Sequence, residues 1–230
     1  MLANRILTIA ESGSGKSTSL RNLNPRETFI INCLSKPLPF KGWKSKYVEV
    51  SKDNPNGNLF NNSNGTSILA MMKYVNEKRP EIKTLIIDDF NYISAYKLFD
   101  KAKETGFNKF VDTALEIKTL ATAPESFRDD LIVVYMMHPD ISLDIDGNKI
   151  IKPKTGGKMI ETQLTLEGLF DKVLYGKARI GKDKQVEFGF ETRKTSDIAS
   201  PAKTPMGLFE EAFIDNDLQL VLDAVKEYEN

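Results

Sequence analysis

Residues 6–20 read ILTIAESGSGKSTSL. An apolar run enters a loop carrying Gly13 and Gly15 and leaves it through Lys16, Ser17 and Thr18. In a loop of this kind successive backbone N–H groups can turn inward around an anion, helped by the start of the following helix. The two glycines let the backbone curl closely. A lysine at position 16 can reach the outer phosphates of a nucleotide, and the hydroxyl of Ser17 can bind Mg²⁺. The spacing fits G-x-x-x-x-G-K-[ST] at every position but the first, which is Ala10. Alanine there adds a methyl group and removes no donor, so phosphate binding is expected to survive. The expected nucleotide-binding set is therefore Glu11, Ser12, Gly13, Ser14, Gly15, Lys16, Ser17 and Thr18, with Thr18 the weaker metal ligand. The alternative is a glycine-rich turn that holds nothing.

A site of this type needs a carboxylate at the tip of a neighbouring buried strand. Residues 85–89, LIIDD, supply two. Asp88 is expected to hold the Mg²⁺ shell, and Asp89 to polarise an attacking water. The alternative is that both aspartates cap a helix. His138 ends a second apolar strand, LIVVYMM, just before Pro139. It is expected either to sense a γ-phosphate or to be a satisfied structural histidine.

The pattern around these residues predicts the elements that position them. Arg5–Ala10, Thr28–Cys33, Thr84–Phe90 and Leu131–Met137 are apolar runs that read as buried strands. Tyr47–Ser51 is a fifth, weaker candidate. Helices are expected over Ser17–Leu23, Ser67–Lys78, 92–104, 107–121 and Asp217–Tyr228, with Asp215 or Asp217 as N-cap of the last. Residues 53–66, rich in Asn and Gly, read as a loop. Uninterrupted apolar strands separated by helices indicate a parallel sheet covered on both faces. After Pro139 the pattern changes. A hairpin is expected about Asp146-Gly147, a short helix near Glu161–Phe170, and a second hairpin about Gly181–Lys184.

The whole chain of 230 residues is expected to be one α/β domain, with 1–139 as a nucleotide-binding core and 140–230 as a β extension and closing helix. Basic and acidic residues balance at 32 each, so net charge argues for neither a nucleic acid nor a membrane partner. One cysteine and one histidine exclude an intramolecular disulfide and a Cys/His zinc cage. No apolar run nears the ~20 residues of a membrane span. No signal peptide is evident, so a cytoplasmic setting is expected.

Taken together, ESGSGKST, LIIDD, the strand-end His138, the hairpin region and SPAKTPMGLFEE resemble the P-loop NTPases. The arrangement is similar to the RecA-like ATPases, especially the compact phage ATP-binding proteins related to Sak-type single-strand-annealing recombinases. The resemblance covers most of the chain. It implies an α/β, RecA-like core with a mostly parallel sheet and an antiparallel β-hairpin extension. It implies ATP and Mg²⁺ at the carboxyl ends of the strands, and homo-oligomeric rings or filaments on single-stranded DNA. It also implies a basic finger from the neighbouring subunit. Lys203 matches that position best, followed by Arg193 and Lys194. One departure stands out. RecA-type enzymes carry a catalytic glutamate just after the second core strand, where this chain has NCLSKP. Asp89 or Glu11 would have to serve, so hydrolysis is expected to be slow or to need a partner.

Two basic stretches are candidates for a DNA surface. Lys36, Lys41, Lys44, Lys46 and Lys52 are interleaved with Phe40, Trp43 and Tyr47, a composition suited to phosphate neutralisation and base stacking. The bland reading is that these aromatics pack on the core. Lys149, Lys152, Lys154 and Lys158 form the second stretch. The leading expectation is an ATP-dependent DNA recombination or annealing ATPase. A nucleotide-dependent switch or adaptor is the alternative, and a small-molecule kinase is weaker, because no arginine-rich lid is visible.

Overall fold

In the computed structural model the described residues are 4–156, 164–181, 183–195 and 199–229. Their centre is an eight-stranded sheet. Its strands in chain order are β1 (Arg5–Ala10), β2 (Thr28–Asn32), β3 (Leu59–Asn61), β4 (Thr84–Asp88), β5 (Ile132–Met137), β8 (Lys172–Ile180), β9 (Val186–Glu191) and β10 (Phe213–Asp215). Across the sheet they lie β10-β9-β8-β1-β5-β4-β2-β3. From β3 to β8 every pairing is parallel, and β9 and β10 add antiparallel strands at one edge. A separate two-stranded antiparallel sheet joins β6 (Pro139–Leu143) to β7 (Lys149–Pro153).

The helices are α1 (Trp43–Lys46), α2 (Gly65–Lys78), α3 (Asn91–Asp100), α4 (Asn108–Thr122) and α5 (Leu218–Glu229). Because side chains alternate along a strand, each central strand feeds two cores. Leu7, Phe29, Leu85, Val133 and Val173 face a cluster built with Ile68 and Val75 of α2 and Ile117 and Leu120 of α4. Ile6, Ile30, Ile86, Val134 and Leu174 face the other cluster, with Leu20, Tyr47 and the Leu218, Val221 and Val225 stripe of α5. Burial on both faces is why these strands lack any polar alternation.

The expected strands at 5–10, 28–33, 84–90 and 131–137 form within a residue or two of their predicted ends. The strand expected at Tyr47–Ser51 does not. Only Glu49 makes an isolated bridge there, to Leu59. The edge strand is instead β3, inside the Asn/Gly-rich stretch predicted as loop. Its three residues pair with β2 through the backbone, which needs no apolar pattern. Asn64 of the same stretch caps α2 by accepting from Ser67 N at 3.0 Å.

The helix expected over Ser17–Leu23 is a six-residue 3-10 helix over Ser17–Asn22. It stops at Leu23, which is extended, and Pro25 disfavours the α region for Asn24 beyond it. The β extension after residue 139 joins the central sheet. β8 pairs in parallel with β1, from Ile6↔Lys172 to Ala10↔Gly176. The second half of the chain thus completes the sheet beside the loop-bearing strand. The first hairpin, at Asp146-Gly147, forms as expected. The second comprises β8 and β9. The short helix is a 3-10 turn over Leu166–Leu169. The predicted start of that helix at Glu161, Lys158, and Lys182 at the second hairpin tip lie outside the described residues. No helix among the described residues is long and apolar enough to cross a membrane.

Candidate functional site

β1 and β4 are separated by one strand, β5, so their carboxyl ends lie roughly 10 Å apart on the same edge. The loop after β1 spans that gap. Gly13 and Gly15 take φ of +80° and +87°, a region that residues with a Cβ enter only under strain. Ser14 closes the turn, its N–H and hydroxyl both bonding Glu11 O, the hydroxyl at 2.6 Å. The loop then releases Lys16 towards β4.

Lys16 Nζ donates to Asp88 Oδ1 and to Asp89 Oδ1, each at 2.7 Å. Ser17 Oγ donates to Asp88 Oδ2 at 2.8 Å. All three charged residues are buried. Burial works against the Lys16 ammonium, yet the charges of Asp88 and Asp89 outweigh it and hold its pKa above the ordinary value. Asp89 has φ of +62°, a left-handed conformation that aspartate tolerates better than most residues. Phe90 N donates to Met136 O at 3.0 Å, tying the turn to β5. Neither aspartate caps α3, whose N-cap position is Phe90 without a side-chain bond. Both carboxylates are free to serve the loop.

Two further side chains reach Asp89. His138 Nε2 is 3.3 Å from Oδ1, and Lys36 Nζ is 3.0 Å from Oδ2. Burial disfavours the Asp89 carboxylate, but the His138 hydrogen bond, the Lys16 charge and hydrogen bond, and the Lys36 contact hold its pKa well below the ordinary carboxylate value. The backbone of His138 is held by Asn91, because the backbone N–H of His138 donates to Asn91 Oδ1 at 3.1 Å. The segment after β2 therefore brings a lysine to the site in place of a carboxylate. Ser35, with φ of +54°, turns the chain so that Lys36 can do so.

A cavity of about 570 Å³ opens along this edge. Glu11, Ser12, Gly13, Gly15, Lys16, Ser17, Thr18, Asp89 and His138 of the expected residues line it. Ser14 is turned into the loop, and Asp88 sits behind Lys16 and Ser17. Glu11 also accepts from Tyr175 Oη at 3.3 Å. Lys203 is exposed and does not line the cavity of its own chain. Its backbone bridges Val173, near the far end of β8. Arg193 bonds the carbonyls of Phe209 and Glu210, and Lys194 is exposed.

The remaining walls were not expected. Arg21, Lys36, Phe188, Asn216 and Leu220 also line the cavity. Only Lys36 carried a sequence signal, as part of a basic stretch. In that stretch Tyr47 is 2% exposed, and Phe40 and Trp43 are half-buried against the same cluster. The ring of Phe40 meets that of Tyr47 edge-on at 6.2 Å. The aromatics serve the core, while Lys41, Lys44, Lys46 and Lys52 are exposed.

No protein-family model matches the chain, and no curated protein matches it. The site's geometry is what bears on function.

Proposed function

We propose that the chain binds Mg-ATP as a RecA-like P-loop NTPase. The observation that carries this is one cluster. A lysine and a serine, adjacent in a doubly left-handed glycine loop, meet two buried aspartates at the tip of a strand two places away. The single strand between β1 and β4 supports the RecA-like arrangement. Bound phosphates would replace Asp88 and Asp89 as partners of Lys16. The cradle for them is the loop's own N–H groups, since the 3-10 helix behind it is too short to add much dipole.

Ser17 Oγ and Asp88 Oδ2 are hard oxygen donors side by side at 2.8 Å. Mg²⁺ takes few protein ligands and completes its shell with water and substrate phosphates, so these residues fit it. When bound, it would neutralise charge on the outer phosphates. Asp89 is the candidate to orient water, with His138 beside it.

The larger role follows the resemblance: assembly as a ring or filament on single-stranded DNA, with recombination or annealing controlled by nucleotide. Exposed lysines at 41, 44, 46 and 52, and at 149, 152 and 154, support a surface for phosphate. Lys203, exposed and away from its own cavity, remains the candidate for a finger acting on a neighbouring subunit. A second reading, a nucleotide switch with little turnover, is favoured by Lys36. It engages Asp89 from the segment where a RecA-type enzyme carries a catalytic glutamate.

The test is Mg-ATP binding and hydrolysis, with and without single-stranded DNA, beside Lys16→Ala. Binding lost in the variant supports the nucleotide site. DNA-stimulated hydrolysis supports the recombinase role. Tight binding with flat, near-zero turnover supports the switch. Wild-type protein that binds no nucleotide defeats both.

A further inference from the structure

The cavity has two ends. Lys16, Asp89, His138 and Lys36 mark the end towards β4. The other end lies across β1, where β8 and β9 run past the sheet. The pairing of β1 with β8 stops at Ala10↔Gly176, while β8 continues to Ile180, roughly 13 Å further. Phe188 pairs with Ala178 on this overhang. It is 43% exposed and lines the cavity. It stands on the same face of β9 as Phe190, two residues on, which packs with Leu218 and Val221 of α5.

Asn216 lies beside it. Its N–H donates to Phe188 O at 3.2 Å, and its carbonyl accepts from the Arg21 guanidinium. The next residue, Asp217, accepts from Gln219 N at 3.0 Å and from Asn22 at 2.6 Å. The backbone of Asn216 is thereby pinned to both β9 and the helix after the phosphate loop. Its side chain lies against Gly15, where an added Cβ would come within 3.1 Å of the amide. The residue is 6% exposed and lines the cavity, yet its Nδ2 is buried without a hydrogen-bond partner. A buried, unpaired amide N–H costs free energy, and a ligand oxygen would satisfy it.

We infer that Phe188 and Asn216 form the nucleoside end of the site. Phe188 offers its ring to the base, and Asn216 Nδ2 donates to an oxygen of the sugar. This rests on the reading that the loop holds nucleotide phosphates. Direction follows from charge: the outer phosphates belong with Lys16 and the Mg²⁺ donors, so the nucleoside must lie across β1, where the apolar overhang is. It also gives the unpaired amide a partner that no atom of the described residues supplies.

The experiment compares calorimetric binding of Mg-ATP and Mg-tripolyphosphate to the full chain, to Asn216→Ala and to Phe188→Ala. Wild type should bind ATP more tightly than tripolyphosphate. Each variant should lose roughly tenfold for ATP, the worth of one net contact, and stay within about twofold for tripolyphosphate. Phe188 is half-exposed, so its variant folds even where Asn216→Ala does not. Equal losses for both probes would make Asn216 a strut of the loop and overturn the inference. So would unchanged ATP binding in both variants. Wild type that binds the two probes equally overturns it while leaving the phosphate site standing. Wild type that binds neither overturns the phosphate site as well.

Discussion

The methyl group of Ala10 lies 2.9 Å from where a side chain on Gly176 would begin. The two residues are register partners at the end of β1, where its pairing with β8 stops. The position where the loop pattern asks for glycine holds alanine, and the neighbouring strand holds the glycine that makes room. The extra methyl is therefore absorbed sideways, into the sheet, and the loop keeps its shape.

Gly176→Ala should therefore destabilise the fold by about 1–3 kcal/mol, the usual cost of overpacking, because the Phe190 ring is also only 3.3 Å away. Adding Ala10→Gly should recover a large part of that loss. Urea unfolding of the two single variants and the double variant measures the coupling. Purely additive losses would contradict the sideways accommodation.

Asp89 predicts a pH signature. Its folded-state pKa is lowered, so the stabilisation it provides is fully present above its unfolded value of about 3.9 and is lost as pH falls towards the folded value. Asp89→Asn keeps a residue tolerant of the left-handed turn and removes the charge. The stability gap between wild type and variant should be largest above about pH 5 and close progressively below about pH 4. A gap that is constant across this range would mean that the carboxylate is not held by Lys16, His138 and Lys36.

Ser17→Ala should separate metal from phosphate. The variant loses the hydroxyl next to Asp88 but keeps the loop N–H groups and Lys16. The Mg²⁺-dependent part of ATP binding should drop by roughly tenfold or more, while binding in excess chelator stays within about twofold. Equal binding by both proteins in Mg²⁺ would remove Ser17 from the metal site.

Tyr47 decides between core and DNA surface for the basic stretch. Tyr47→Ala should cost about 3–5 kcal/mol, as for other large aromatic deletions. Tyr47→Phe should be neutral or stabilising, because the Tyr47 hydroxyl is buried without a partner. Chemical denaturation measures both. A Tyr47→Ala protein of wild-type stability that loses DNA binding would restore the ring to a stacking role.

Cys33 should be inert to thiol reagents in the folded protein. It is fully buried, and burial together with the carboxylates of Asp88 and Asp89 pushes its thiol well above the ordinary pKa. Its modification rate at neutral pH should follow unfolding and rise with denaturant. Rapid labelling without denaturant would show that this strand end opens to solvent.

What the sequence determined by itself was local. Four central strands announce themselves as apolar runs, because burial on both faces removes polar residues from consecutive positions. The glycine loop, Asp88, Asp89 and His138 are legible because they sit at strand ends within short motifs. Tertiary structure decided the rest. β3 is three residues in an Asn-rich stretch, held by backbone bonds to β2, which leave no trace in side-chain type. β8 reads as half of a hairpin, and only folding shows that its other edge lies against β1. That pairing joins residues more than 160 positions apart, and no local pattern encodes a neighbour at that distance. The same closure brings Phe188 and Asn216 to the loop at Gly15. Their side chains are unremarkable in sequence and acquire a role only from where the sheet puts them.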